Sequence, residues 1–246
     1  MNPMRHLLAA MFTLAASTPV IAESAARFVS WSGTEINIAS GEFSDILSTP
    51  GTGFSTADMN TVNAALQKDG IETQGRISIL LADTAAGLSV LTMFDGVQYP
   101  DTPGKPTVVT SQATVPQSAT WQYNIDAGGT FDVFPVGNDT MLSGAFNWIP
   151  GVNSEAMSVS SLEEGNNGSF YMNAVDQGGL STQEPIQFLT MQAGMWSYAE
   201  TLGFQDSDSG GPGFEYLTFE ITAIPAPSGL LLLAFAGYGL KRRRRH

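Results

Sequence analysis

The stretch FEYLTFEITA, at residues 214–223, carries the clearest structural pattern in the chain. Apolar and polar residues alternate along it, so that Leu217, Phe219 and Ile221 interleave with Thr218, Glu220 and Thr222. Successive side chains of a β-strand point to opposite faces of the sheet, so this alternation predicts a half-buried strand. One face of that strand is expected to lie in a core and the other in water.

Short strands of the same kind are predicted along the preceding residues. They are separated by Gly and Asn turns at spacings of about ten residues, which is typical of an antiparallel β-sandwich or jelly roll. A hairpin around Ser32 and Gly33 is predicted to join the first two. The predicted strands cover residues 27–31, 34–39, 76–82, 88–94, 107–113, 119–125, 130–134, 140–149, 156–161, 169–174 and 186–192.

One helix is predicted within this mainly β region. Ser55 or Thr56 supplies an N-cap, Asp58 lies in the first turn, and Gly70 is the stop signal. Its apolar face consists of Met59, Val62 and Leu66. We interpret it as a crossover packed on one end of a sheet.

The N-terminus has the features of a secretory signal peptide. Arg5 precedes an apolar stretch at residues 7–16, and Val20 and Ala22 occupy the −3 and −1 positions of a cleavage site before Glu23. We therefore predict that signal peptidase removes residues 1–22 and that one β domain, residues 23–223, is exported; a retained N-terminal helix is the alternative. The chain has no Cys, so neither a disulfide framework nor lipoprotein modification is expected.

Residues 224–246 combine a proline motif, an apolar run and a block of cations. As a helix, the apolar run at residues 228–240 would rise about 20 Å, against about 30 Å for a bilayer core. Clustered cations beside an apolar segment stay on the cytoplasmic side of a membrane. We therefore predict a short C-terminal transmembrane helix, in preference to a buried helix with a solvated end. Its basic tail is Lys241, Arg242, Arg243, Arg244 and Arg245.

These three parts, in this order at the C-terminus, resemble the PEP-CTERM sorting signal of Gram-negative bacteria. In that family a Pro-Glu-Pro motif precedes a short transmembrane helix and an Arg-rich tail, which a membrane protease called exosortase removes. Here the motif reads Pro225, Ala226, Pro227 and Ser228, with Ala226 where the family usually has Glu. The resemblance implies transient anchoring in the inner membrane, an exosortase-like partner, and a final location at the cell surface or outside the cell.

The exported region is predicted to be strongly acidic. Between residues 23 and 224 the chain has 4 Lys or Arg and 23 Asp or Glu, a formal net charge of 4 − 23 = −19. Phosphate binding needs clustered cations, so nucleic acid is not an expected partner. Most of the acidic residues are scattered singly, which favours a solvated surface.

No catalytic residue is predicted. Residues 208–212, DSGGP, are similar to the nucleophile segment of chymotrypsin-type serine proteases. That mechanism needs an imidazole to accept and return the serine proton. The two histidines, His6 and His246, lie outside the predicted exported domain. Serine–histidine catalysis and His-ligated zinc are therefore not expected.

Calcium is the one cofactor that the sequence leaves open. Asp206 and Asp208 alternate with serines and are candidate ligands. An EF-hand loop starting at Asp206 would need a ligand at position 5 and Glu at position 12, where the chain has Gly210 and Leu217. The pattern therefore favours a solvated polar turn over an irregular calcium loop.

Carbohydrate is the second open class of ligand. Paired carboxylates can hydrolyse glycosides without histidine, but the adjacent Glu163 and Glu164 are typical of a loop tip. Aromatic residues at i and i+2 could stack on sugars, although such pairs are more often part of a core. The pairs are Trp121/Tyr123, Phe146/Trp148 and Trp196/Tyr198.

PEP-CTERM-like proteins are associated with exopolysaccharide and biofilm, so the resemblance implies a non-enzymatic matrix or adhesive role. The alternative is a secreted carbohydrate-active protein, either a carboxylate-pair glycoside hydrolase or a carbohydrate-binding module with polysaccharide as its partner.

Overall fold

The computed structural model describes residues 24–48, 53–95, 107–125, 129–149, 154–178, 180, 183–205 and 213–223. All of them lie in one compact unit that runs from Glu23 to Ile224. They are mainly β. The elements, in chain order, are β1 (Ser24–Ser30), β2 (Glu35–Ala39), β3 (Gly41–Phe43), α1 (Thr56–Lys68), β4 (Ile77–Thr84), β5 (Gly87–Phe94), β6 (Thr107–Pro116), β7 (Thr120–Asn124), β8 (Thr130–Val136), β9 (Asp139–Trp148), β10 (Glu155–Ser160), β11 (Asn167–Asp176), β12 (Ile186–Gln192), β13 (Met195–Leu202) and β14 (Gly213–Ala223).

The strands form two sheets. Sheet A has the order β2-β1-β14-β11-β6-β9-β8, and all of its pairs are antiparallel. Sheet B has the order β13-β12-β4-β5-β10-β7, with β3 pairing beside β4. Two of its pairs, β12 with β4 and β3 with β4, are parallel. The expected all-antiparallel pairing is therefore wrong for sheet B, because long connections return the chain in the same direction at these two places.

One hydrophobic core joins the two sheets. The alternation predicted for β14 is confirmed, since Leu217, Phe219 and Ile221 are all buried there. Sheet A also contributes Phe146, which stacks on Phe94 of sheet B with ring centroids 4.1 Å apart. Aromatic pairs in such contact stabilise a core beyond the area that they bury.

The helix α1 covers the other face of sheet B. Ser55 is its N-cap and forms a capping box with Asp58, as the residue types predict. The buried helix residues Met59, Val62 and Leu66 share a second core with outward-facing residues of sheet B, among them Leu80, Leu91 and Met93. The expected position on one end of a sheet is therefore wrong: α1 lies over a face, in the connection between the parallel strands β3 and β4. Sheet B is consequently buried on both sides.

Two strands were not predicted, the short β3 and the longer β13. A tight turn at Ala193 and Gly194, with φ of 52° and 80°, joins β13 to β12. Two residues at positive φ are typical of a type I′ hairpin turn, for which Ala is an uncommon choice. Leu189 lies opposite Tyr198, and Phe188 opposite Glu200, so Ala199 is an extra residue that interrupts the alternation of β13.

The predicted signal helix, at residues 1–22, and the predicted transmembrane helix, within residues 224–246, lie outside the described residues. Among the residues that are described, no helix is both long enough and apolar enough to cross a membrane.

Candidate functional site

The face of sheet A that points away from the shared core is called the open face below. On β14 the alternation that buries Leu217 also buries Glu215, so Phe214 and Tyr216 point to the open face. The neighbouring strand β11 pairs Tyr171 with Tyr216 and Asn173 with Phe214. Cross-strand partners in an antiparallel sheet lie on the same face, so aromatic side chains from two strands meet there.

A tryptophan from a third strand end completes this group. The centroid of the Trp31 ring lies 5.9 Å from that of the Phe214 ring in an edge-on arrangement, and the Tyr171 ring stacks on Phe214 with centroids 6.1 Å apart. Trp31 is 63% exposed, and Tyr171 and Tyr216 are each 36% exposed. We call Trp31, Tyr171, Phe214 and Tyr216 the aromatic cluster.

A buried carboxylate holds the backbone of Trp31. The Trp31 N–H donates to Glu215 Oε1 at 2.9 Å, and this bond ties the end of β1 to β14. Glu215 Oε2 is buried without a hydrogen-bond partner among the described residues. Burial raises the pKa of the Glu215 carboxyl, and the donors of Trp31, Gln205 and Tyr216 lower it only in part. The backbone of Trp31, which carries the exposed indole, is therefore held in place by its hydrogen bond to Glu215.

Neutral polar side chains surround the aromatic cluster on the open face. Gln112 lies across from Tyr171, and Ser143 lies across from Gln112 on the next strand. Asn173, beside Phe214, has an Oδ1 atom that is buried and finds no partner in the described part of the chain. Other exposed or half-buried members of this face are Thr110, Thr114, Ser169 and Thr218. The face thus combines aromatic rings with hydroxyl and amide groups.

Two further carboxylates are buried, and both serve the fold. Asp95 accepts a hydrogen bond from the Gly75 N–H, and Glu155 accepts one from the Asn147 N–H at 2.6 Å. Backbone donors of this kind compensate the burial of a charged group. Across the described ranges, no group of three or more His, Cys, Asp or Glu side chains is arranged to hold a metal ion.

The three aromatic pairs expected from the sequence have different positions. Phe146 and Trp148 are fully buried, as expected of core residues. Trp196 is buried and stacks on Phe43 at 5.7 Å, whereas Tyr198 is exposed and accepts a hydrogen bond from the Glu72 N–H. These positions bring none of these side chains into the aromatic cluster.

The remaining pair, Trp121 and Tyr123, lies on the edge strand β7. Trp121 packs partly against the shared core, and Tyr123 stacks on Phe131 at 4.1 Å. Glu163 and Glu164 are exposed in a turn, as predicted for a loop tip.

Most of the site residues predicted from the sequence lie outside the described residues. They are the cleavage position Ala22 and Glu23, the calcium candidates Asp206 and Asp208, the motif Pro225, Ala226, Pro227 and Ser228, and the tail Lys241, Arg242, Arg243, Arg244 and Arg245.

The aromatic cluster was missed at the level of sequence. Its members come from positions far apart in the chain, and only strand pairing brings them together. One signal was available: extending the alternation of β14 backwards from Thr218 puts Tyr216 and Phe214 on the solvated face. Large aromatic residues at consecutive solvated positions of a strand are candidates for a binding surface.

No protein-family model matches the sequence, and no curated protein matches it significantly. What this chain binds is therefore inferred from its own residues.

Proposed function

We propose that this chain is a non-enzymatic, exported protein of the cell surface or extracellular matrix, and that the aromatic cluster binds polysaccharide. The two sheets then act as a β-sandwich that presents the open face. The observation that carries the proposal is the Trp31 ring, 63% exposed yet anchored through its backbone to the buried Glu215. A solvent-exposed indole in a fixed position suits a ligand that stacks on it.

The chemistry of the open face favours a sugar over other ligands. A sugar ring has an apolar C–H face, which packs on aromatic rings. Its hydroxyl groups form hydrogen bonds with polar neighbours. The aromatic cluster supplies the rings, and residues such as Gln112, Asn173 and Thr218 supply amides and hydroxyls. Ser, Thr, Asn and Gln side chains both donate and accept, which matches the dual character of a sugar hydroxyl.

The charge distribution favours a neutral polysaccharide. The predicted exported region has a formal net charge of 4 − 23 = −19, which repels acidic glycans at low ionic strength. On the open face, Arg27 forms an ion pair with Glu35, and Glu220 lies across from Arg27 on β14. The cationic side chain nearest to the cluster along β1 is thus compensated by carboxylates.

The proposed route to the surface rests on the two termini. Signal peptidase acts between Ala22 and Glu23, and the C-terminal helix holds the chain in the inner membrane. An exosortase-like protease then acts at the Pro225–Ser228 motif, which releases the β domain or transfers it to the outside. This route matches a role among secreted polysaccharides, as the PEP-CTERM resemblance implies.

A panel of glycans tests the binding activity. The exported form is incubated with insoluble neutral polysaccharides, with soluble neutral oligosaccharides and with acidic polysaccharides, and bound protein and released reducing ends are both measured. The proposal predicts retention on at least one neutral glycan and no release of reducing ends. Release of reducing ends would establish the glycoside hydrolase alternative, and retention on acidic glycans alone would contradict the neutral ligand.

The mass of the native protein tests the export route. Cells that produce the full chain are fractionated, and intact masses are taken for each fraction. We expect the extracellular species to lack residues 1–22 and the tail from Lys241 to Arg245. An extracellular mass that retains both segments would contradict the route without affecting the glycan experiment.

A further inference from the structure

A row of side chains crosses five strands of sheet A on the open face. Tyr216 on β14 pairs with Tyr171 on β11, and Tyr171 pairs on its other side with Gln112 on β6. Gln112 in turn pairs with Ser143 on β9. At the opposite end, Trp31 follows directly after β1, at the level of Tyr216. Cross-strand partners share one face of a sheet, so these five residues line up at right angles to the strands, and we call them the transverse row.

The members of the transverse row are accessible to a ligand. Trp31, Tyr171 and Tyr216 are exposed, and Ser143 is half-buried. Gln112 is the exposed residue of β6, whose other residues on this face are half-buried. The Phe214 ring lies beside the transverse row and contacts the rings of Trp31 and Tyr171. One ligand can therefore touch side chains from all five strands.

The transverse row is uncharged and changes in character along its length. Three aromatic side chains come first, and the Gln112 amide and the Ser143 hydroxyl follow. Asp132, exposed on the edge strand β8, lies across from Ser143 and adds a carboxylate beyond the last member. Like charges repel, so an acidic ligand is disfavoured at that end. The row thus suits an uncharged ligand that has both apolar faces and hydroxyl groups.

The spacing of the strands matches the repeat of a linear glycan. Neighbouring strands lie about 4.8 Å apart, so the four steps from β1 to β9 span about 19 Å. Covalent bonds of about 1.5 Å make a pyranose unit with its linking oxygen about 5 Å long. A chain that crosses the strands therefore places one sugar residue over each strand. A chain that ran along β14 from Tyr216 would instead meet the charged pair of Glu220 and Arg27 two open-face positions further on.

We infer that one linear, neutral polysaccharide chain lies along the transverse row, with one sugar residue over each of the five strands from β1 to β9. The inference rests on the proposed function and deepens it, because it names the ligand as an unbranched chain that runs across the strands. Three consecutive sugar residues pack on the rings of Trp31, Tyr216 and Tyr171. The next two form hydrogen bonds with the Gln112 amide and the Ser143 hydroxyl, both of which can donate and accept.

A length series tests the inference. The exported form is titrated by calorimetry with linear neutral oligosaccharides of two to eight residues, built from the repeat that the glycan panel selects. Between three and five residues, each added residue gains hydrogen bonds, so we expect the affinity to rise about fivefold per residue. From five to eight residues it should stay constant, because the chain then extends past Ser143.

The outcomes separate this inference from the proposed function. If affinity stops rising at three residues, the aromatic cluster alone accounts for binding, and the inference is overturned while the proposed function stands. If affinity still rises steadily from five to eight residues, the ligand follows another path and the inference is likewise overturned. If no length binds, both are overturned.

Two variants locate the polar end of the chain. Gln112→Ala should leave the affinity for a trisaccharide unchanged and lower that for four or more residues about fivefold, whereas Ser143→Ala should act only from five residues upwards. Gln192→Ala is the matched control, because Gln192 is an exposed glutamine on β12 of sheet B. It should bind every length as the wild type does. Melting temperatures confirm that all three variants are folded.

The dependence on chain length carries the result of these variants. A loss in Gln112→Ala that is equal for three and five residues would place Gln112 beside the rings and not after them, which would overturn the inference. So would an unchanged affinity in Gln112→Ala at every length.

Discussion

Replacing Trp31 by Ala should weaken polysaccharide binding about 30-fold. A Trp side chain offers about 250 Å² of surface, and Trp31 is 63% exposed, so about 160 Å² is accessible. A sugar that covers one face of the ring removes about half of this area, roughly 80 Å², from water. At about 25 cal/mol per Å² this contributes about 2 kcal/mol, which corresponds to the stated loss of affinity.

The measurement is a calorimetric titration of wild type and Trp31→Ala with the neutral oligosaccharide that the glycan panel selects. Met195→Ala is the matched control. Met195 lies on sheet B and is 59% exposed, so this substitution also removes an exposed apolar side chain. We expect the control to bind as the wild type does. The Trp31 N–H still reaches Glu215 in the Ala variant, so its stability should stay within about 0.5 kcal/mol of wild type.

A loss of less than about threefold in Trp31→Ala would refute the stacking geometry, since it would correspond to under about 0.7 kcal/mol. An equal loss in Met195→Ala would show that binding is a general property of exposed apolar side chains. A large loss of stability in Trp31→Ala would remove the distinction between ligand contact and folding.

Three further predictions concern the fold, and each is checked by denaturant unfolding. Ser55→Ala removes the side chain that caps α1 and should lower the free energy of unfolding by about 1 kcal/mol, whereas an unchanged value would contradict the capping box. Phe94→Ala opens a cavity beside Phe146 and should lower it by about 3–5 kcal/mol; a loss below about 1 kcal/mol would argue against the shared core. Glu215→Gln should alter the pH dependence. Because the folded-state pKa of Glu215 is raised above its ordinary value of 4.5, the native state holds the proton longer, and wild-type stability falls as pH rises from that value through the folded pKa. The variant should lack this contribution, so a wild-type-minus-variant difference that is constant with pH would contradict it.

Local patterns account for the elements that the sequence predicts well. The alternation in β14 and the Ser55 and Asp58 capping pair each depend on residues within one turn or one strand, and both are present in the structure. The strand β13 was missed for an equally local reason, because Ala199 breaks its alternation and Ala193 begins an unusual turn.

Long-range pairing accounts for the rest. The parallel pairing of β4 with both β3 and β12 depends on contacts between distant segments, which a single sequence does not reveal. The aromatic cluster has the same origin, because Trp31, Tyr171 and Phe214 become neighbours only when β1, β14 and β11 pair in register. The alternation of polar and apolar residues along β14 predicts that Phe214 and Tyr216 lie on its solvated face. It does not predict that Phe214 contacts the rings of Trp31 and Tyr171.

Mapping the bound glycan on the protein tests the central claim most directly. Backbone and aromatic NMR signals of the exported form are followed during titration with the selected neutral oligosaccharide. We predict that Trp31, Tyr171, Phe214 and Tyr216 show the largest shifts on sheet A. Saturable binding that leaves the signals of all four residues unchanged would contradict the claim that the open face is the polysaccharide-binding surface.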